Sequence, residues 1–166
     1  MESTYKLAGT WKFIIAILLC EGIGITSGLL ASANNNLWFA TLKKPTWNPP
    51  GYLFGPVWGT LYLFMGISLA LIWNNQTSKQ SKRKSYILFA IQLTLNFLWS
   101  ILFFNFHSPL LALIDIILMI VTITLSIFSF ANFSKPAAWL LVPYLAWVLF
   151  AAVLNFTIWK LNINSL

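Results

Sequence analysis

Five long apolar runs constrain this chain more than anything else in it: Phe13–Ala33, Leu53–Trp73, Tyr86–Phe106, Pro109–Phe130 and Ala137–Trp159. Each holds roughly 21–23 residues, which at about 1.5 Å of rise per residue covers the ~30 Å hydrocarbon layer of a bilayer. Backbone amides in lipid must be satisfied within their own segment, so the runs predict helices rather than open strands. Composition agrees. With 59% hydrophobic and 8% charged residues, 166 residues carry too little polar surface to coat a water-soluble domain. The expectation is an all-α integral membrane protein, a bundle of five transmembrane helices forming one membrane domain over residues 1–166.

The first run competes with a signal peptide, since Lys6 and Lys12 precede it and Ala31-Ser32-Ala33 resembles a cleavage site. Its length and the interrupting Glu21 favour a retained helix. Gly24 and Gly28, four apart, would let another helix approach closely, and Glu21 shares their face. With five spans, Lys6, Lys12, Lys79, Lys82, Arg83, Lys84 and Lys135 fall on one side, against Lys43, Lys44 and Lys160 on the other. The positive-inside bias places the N-terminus in the cytoplasm, with a bacterial inner membrane as the expected location. The basic cluster Lys79–Lys84 reads as a topogenic signal ahead of an anionic-lipid or nucleic-acid patch. The net charge of +7 calls for no nucleic acid.

One connection is unlike the others. Asn34–Tyr52 is long, whereas Asn74–Ser85 is polar and basic, His107-Ser108 is a tight turn, and Asn132–Pro136 offers Ser134 as an N-cap. From Trp38 to Trp58 the chain reads W-F-x-x-L-x-K-P-x-W-x-P-P-G-x-x-F-x-x-V-W. Pro45, Pro49 and Pro50 fix their own φ and push the preceding residue toward extended backbone. Rigid turns bearing large rings suit a lid over something flat and apolar.

Helical spacing gathers polar and aromatic side chains into stripes. The second span aligns Trp58, Tyr62, Met65, Gly66 and Trp73; the third Gln92, Asn96, Trp99, Ser100 and Phe103; the fourth Asp115, Thr122, Ser126 and Ser129; the fifth Tyr144, Trp147, Ala151 and Asn155. Polar atoms are costly in hydrocarbon, so the stripes should face the bundle interior and enclose an aromatic pocket for a large planar or sterol-like ligand. Trp11, Trp73, Trp139 and Trp159 lie near span ends and read as an interfacial belt. Trp58, Trp99 and Trp147 read as pocket lining, with plain helix packing as the alternative.

Four separated blocks then carry a resemblance. The proline loop is followed by Val57-Trp58-Gly59-x-Leu61-Tyr62-x-x-Met65-Gly66. Next comes Leu95-Asn96-x-x-Trp99-Ser100-x-Leu102-Phe103-Phe104. The last is Trp139-Leu140-x-x-Pro143-Tyr144-x-x-Trp147 with Phe150-Ala151-x-x-Leu154-Asn155-x-x-Ile158-Trp159. In this order they resemble the TspO/MBR family, the tryptophan-rich sensory proteins related to the mitochondrial translocator or peripheral-type benzodiazepine receptor. The resemblance runs from about Trp38 to Asn162. It implies a five-helix bundle whose pocket, beneath the first loop, binds porphyrins, notably protoporphyrin IX, and in some members sterols or isoquinoline carboxamides. Carried over by motif position, the ligand-binding set is Phe39, Pro49, Phe54, Trp58, Tyr62, Asn96, Ser100, Trp147 and Ala151. Phe39 replaces a tyrosine frequent in the family. Phe156 stands where the proposed sterol pattern needs a tyrosine, so a cholesterol role is not expected.

Single residues remain. Lys43 and Lys44 are candidates to pair with porphyrin carboxylates at the pocket mouth, or else snorkel to the interface. His107 reads as a solvated turn histidine rather than a haem ligand, and Cys20 stands alone in the membrane. Asp115 divides evenly between a pocket group and a hydrogen-bonded helix contact. No metal site and no obligatory cofactor is expected; porphyrin is ligand or substrate, other hydrophobic small molecules and the lipid bilayer are further partners, and a homodimer is left open. The leading function is a sensory or regulatory porphyrin-binding protein. The alternatives are a light-dependent porphyrin-degrading enzyme, with Trp58 and Trp147 in a photochemical role, or a transporter. No nucleophile–base pair or nucleotide loop supports hydrolysis or ATP-driven work.

Overall fold

The computed structural model describes residues 2–33 and 37–164, with side chains described from Gly9 to Ser32 and from Leu37 to Asn164. Asn34, Asn35 and Asn36, which open the first connection, and the Lys6 side chain lie outside the described residues. The helices are α1 (Glu2–Ala33), α2 (Trp38–Thr41), α3 (Gly51–Asn74), α4 (Lys79–Ser100), α5 (Pro109–Ala131), α6 (Lys135–Leu140) and α7 (Val142–Asn162). Among the described residues, five helical stretches are long and apolar enough to cross a membrane: Gly9–Ser32, Gly51–Asn74, Lys79–Asn105, Pro109–Ala131 and Lys135–Asn162. The protein is an all-α integral membrane protein.

Three serines start helices as hydrogen-bond acceptors. Ser78 accepts from the Ser81 amide, Ser108 from Leu111 and Ser134 from Ala137, each satisfying an otherwise orphaned first-turn N–H. The Ser78 cap corrects one sequence boundary. The basic run begins α4 at Lys79 rather than lying in a polar loop up to Ser85, so the connection shortens to residues 75–78. Chain polarity hid this start, because helix formation does not require apolar residues. Two further irregularities are absent from the hydropathy pattern. The fifth span breaks at Leu141, two residues before Pro143, whose ring cannot accommodate an uninterrupted helix. At the end of the third span, Ile101–Asn105 widens into a π-turn, with the Phe106 amide bonded to the Ile101 carbonyl. His107 follows with φ of 50°, a left-handed turn residue.

The spans close into a ring in the order α3, α1, α4, α5 and α6–α7, which returns to α3 through α6. Glycine sets the tightest approach. A Cβ on Gly66 of α3 would stand 2.6 Å from the Ile17 Cα of α1, and one on Gly24 of α1 would fall within the Tyr62 ring. Gly28 faces open space, so only one member of the glycine pair serves this contact. The core gathers Cys20, Met65, Phe89, Met119, Ile123, Phe130, Tyr144 and Val148. Outward faces are apolar as lipid contact requires: Leu18, Leu29, Ile117, Val121 and Phe128 are exposed. Polar glue crosses the helices. The Ser68 hydroxyl donates to the Ala137 carbonyl at 2.7 Å, Ser85 and Ser129 pair at 2.7 Å, and the Asn75 amide donates to Phe133 at 2.9 Å. Such contacts contribute roughly 0.6–2 kcal/mol each in a membrane.

Candidate functional site

Four spans bring side chains to one point in the ring's interior. Trp58 from α3, Asn96 and Trp99 from α4, Ile116 and Met119 from α5, and Val148 and Ala151 from α7 line a hollow of about 10 Å³. The predicted stripes therefore do turn inward. The space they enclose, however, is small, because the rings pack on one another. Trp58 lies 5.6 Å from Tyr62 and 6.3 Å from Tyr144, and Phe54 meets Trp147 edge-on at 6.0 Å. A hollow of that size is barely one water's worth of space. Any flat ligand must part these walls.

A buried hydrogen-bond chain fixes the centre of the wall. The Tyr62 hydroxyl donates to the Asn96 side-chain carbonyl, and the Asn96 amide donates to the Tyr144 hydroxyl at 3.1 Å. Three spans are thereby held through one amide, whose donor and acceptor ends are both used. Ser100, one turn further along α4, pairs with Ser27 of α1 at 2.6 Å. The Trp99 indole donates to Asn155 at 3.1 Å, and Asn155 in turn donates to the Pro109 carbonyl at 2.7 Å. Trp147 differs. It packs between Phe54 and Phe150, and its indole N–H is buried with no acceptor. Asp115, one turn before Met119 on the same face of α5, is 4% exposed and has neither oxygen hydrogen-bonded. A carboxyl so placed in hydrocarbon is costly, and the hydrogen-bonded helix contact expected as its alternative role is not formed.

The proline loop roofs this region. The turn closes through the Asn48 amide on the Pro45 carbonyl at 3.0 Å, and Leu53 bonds back to Pro50 at 3.0 Å as α3 begins. The π-turn swings Phe103 and Phe104 toward the loop. Trp38 meets Phe103 at 5.6 Å, Phe39 meets Phe103 at 6.1 Å and Phe104 at 5.8 Å, and Trp99 stacks on Phe103 at 5.2 Å. His107 stacks on Trp38 at 4.4 Å. Its ring therefore braces the loop from an exposed turn. The polar latch is Asn162, whose side chain accepts from the Lys43 amide and donates to the Lys43 carbonyl, both at 2.9 Å.

Of the residues singled out by sequence, Trp58, Trp99, Asn96 and Ala151 meet at the hollow and Tyr62 backs it, whereas Phe54 and Trp147, expected in the pocket wall, pack against each other and do not line it. Phe39 sits in the aromatic cluster under the loop. Pro49, ten residues further along the loop, is half-buried and accepts from the Asn48 side-chain amide at 3.0 Å. Ser100 faces α1 through Ser27. Lys43 is exposed, while the Lys44 ammonium turns back to the Phe39 and Leu42 carbonyls and over the Phe39 ring at 4.3 Å. Sequence reasoning missed Asn162, although it lies seven residues after Asn155 on the same helical stripe.

Comparison with known proteins places the sequence in a family. The sequence profile of the TspO/MBR family matches residues 16–160. The chain is 45% identical to the tryptophan-rich protein TspO of Chlorobaculum tepidum, over 91% of this chain and 98% of the relative. It is 42% identical to the protein of that name from Archaeoglobus fulgidus, over 91% and 97%. It is 39% identical to the translocator protein of Bos taurus, over 94% of each.

Proposed function

Since the chain belongs to the TspO/MBR family, we propose that it is a membrane receptor for porphyrins such as protoporphyrin IX, with a sensory or regulatory role in tetrapyrrole or stress metabolism. The single observation that carries this reading is the convergence of Trp58, Trp99, Asn96 and Ala151 on one hollow beneath the aromatic loop. Indole faces on opposing spans offer stacking area to a planar macrocycle. The unpaired Trp147 N–H supplies a donor that a ligand acceptor would satisfy, and a buried donor left unmade costs roughly 1–3 kcal/mol. The exposed Lys43 at the loop is the cation best placed to orient a carboxylate edge. The ligand enters by parting Phe54 from Trp147 and lifting the loop from its Asn162 latch. The proposed setting is a bacterial inner membrane with the N-terminus in the cytoplasm, following the distribution of basic residues.

Titrating purified protein with protoporphyrin IX tests this. Saturable quenching of tryptophan emission is expected, with affinity reduced about tenfold or more in Trp58→Phe or Trp147→Phe, the loss of roughly one stacking or hydrogen-bond contribution. Unchanged affinity in both variants would remove the assignment. Illuminating the saturated complex separates binding from turnover: a porphyrin absorption band that decays to a new product only with intact protein would make the ligand a substrate.

A further inference from the structure

At the end of the bundle remote from the proline loop, a groove of about 970 Å³ opens between the end of α3, the start of α4 and Lys12 of α1. Four cations converge on it: Lys12, Lys79, Lys82 and Arg83. Among the described residues, no carboxylate lines it. The positive-inside rule accounts for basic residues on this side of the membrane, but it acts through their number in a segment and does not require them to ring a cleft. Gathering like charges at close quarters is unfavourable unless an anion offsets them.

The cations divide into a fixed floor and a free rim. The Lys82 ammonium is buried and donates to the Asn75 carbonyl at 2.7 Å and the Ile72 carbonyl at 3.1 Å, capping the end of α3. The charges of Lys12 and Lys79 both bear on it. Lys79 and Arg83 are exposed one turn apart on α4, and Lys12 holds its ammonium about 6 Å above the Trp11 and Trp73 rings. The remaining wall is apolar or amphipathic: Leu69, Trp73, Tyr86, Ile87 and Ala90. Ile87 and Ala90 are exposed and lead along α4 into the hydrocarbon depth. A cationic mouth that continues into an apolar, lipid-facing wall matches an amphiphile rather than a soluble anion.

We propose that this groove binds an anionic phospholipid, its phosphate held by Lys79, Arg83 and Lys12 and an acyl chain laid along Ile87 and Ala90. Each basic residue near the surface favours an anionic head about fivefold, so neutralising Lys79 and Arg83 together should weaken the preference roughly 30-fold.

The full chain is reconstituted in phosphatidylcholine vesicles carrying either phosphatidylglycerol or phosphatidylcholine with brominated acyl chains. The quenching of Trp73 is isolated by difference against Trp73→Phe. Brominated phosphatidylglycerol should quench Trp73 at far lower mole fraction than brominated phosphatidylcholine. The preference should collapse in Lys79→Gln/Arg83→Gln and persist in Lys79→Arg, which keeps the charge and guards against a folding defect. Equal quenching by the two lipids, or a preference untouched by the double substitution, would overturn the proposal. So would displacement of the brominated lipid by inorganic phosphate as effectively as by unlabelled phosphatidylglycerol, because the site would then be one for soluble anions.

Discussion

Replacing Asn162 by alanine should loosen the proline loop without unfolding the bundle. The Asn162 side chain makes two hydrogen bonds to the Lys43 backbone, one received and one given, each at 2.9 Å. Its third bond, to the Ile158 carbonyl at 2.8 Å, stays within α7. Net contributions of about 0.5–1.5 kcal/mol per hydrogen bond put the latch at roughly 1–3 kcal/mol. At about 1.4 kcal/mol per decade, the population of the lifted loop should rise roughly 5- to 150-fold. Full detachment is not expected, because the contacts of Trp38 and Phe39 with Phe103 and Phe104 remain. Hydrogen exchange reads the change directly, since amides that exchange through local opening follow the open population. The Asn48 amide, bonded to Pro45 within the loop turn, should exchange faster by that factor, while amides midway along α5 should not move. Protoporphyrin association should accelerate in step if lifting the loop gates the hollow. An Asn48 exchange rate within about twofold of the parent protein would show that the latch carries no such weight.

Three further substitutions probe the packing. Gly66→Val forces a Cβ to within 2.6 Å of the Ile17 backbone, where no flexible side chain can yield; a loss of about 1–3 kcal/mol is expected, read as a lower thermal midpoint in detergent. Gly28→Ala, which meets nothing within 4 Å, should leave that midpoint unchanged, and equal effects at both positions would refute the close-approach reading. Asn96→Leu removes the bridge between Tyr62 and Tyr144 and leaves two buried hydroxyls to find new partners, so it should cost roughly 1–3 kcal/mol of stability. A midpoint unaltered by Asn96→Leu would mean that the amide does not tie the three spans.

Much of the architecture was legible because the bilayer makes hydropathy a strong signal. Runs of membrane-spanning length set five helices, and the 3.6-residue period placed Tyr62, Asn96, Tyr144 and Asn155 on buried faces, where all four are found. Where the signal was not apolarity, it was read less completely: the Ser134 cap was expected and is found, but others were not. The start of α4 at Lys79 depends on the Ser78 cap and lies in polar sequence. The π-turn at Ile101–Asn105 leaves no mark in composition, yet it aims Phe103 and Phe104 at the loop. Asn162 was hidden by distance, since its partner Lys43 is 119 residues away. The size of the hollow was beyond any pattern. Spacing can point Trp58 and Trp147 inward, but only packing decides whether rings stand apart or, as here, close on Tyr144 and Phe54. The direction of the Lys44 ammonium, folded back on the Phe39 carbonyl, was likewise set by local geometry rather than residue type.

The most direct measurement is the location of the bound macrocycle. With a paramagnetic manganese porphyrin titrated into protein carrying ¹⁵N-indole labels, the side-chain N–H signals of Trp58, Trp99 and Trp147 should broaden selectively at stoichiometric ligand. Those of Trp11 and Trp139, both exposed near span ends, should stay sharp. Broadening confined to Trp11 and Trp139, or spread evenly over every indole, would place the porphyrin in the lipid or on the surface and contradict a site between the helices.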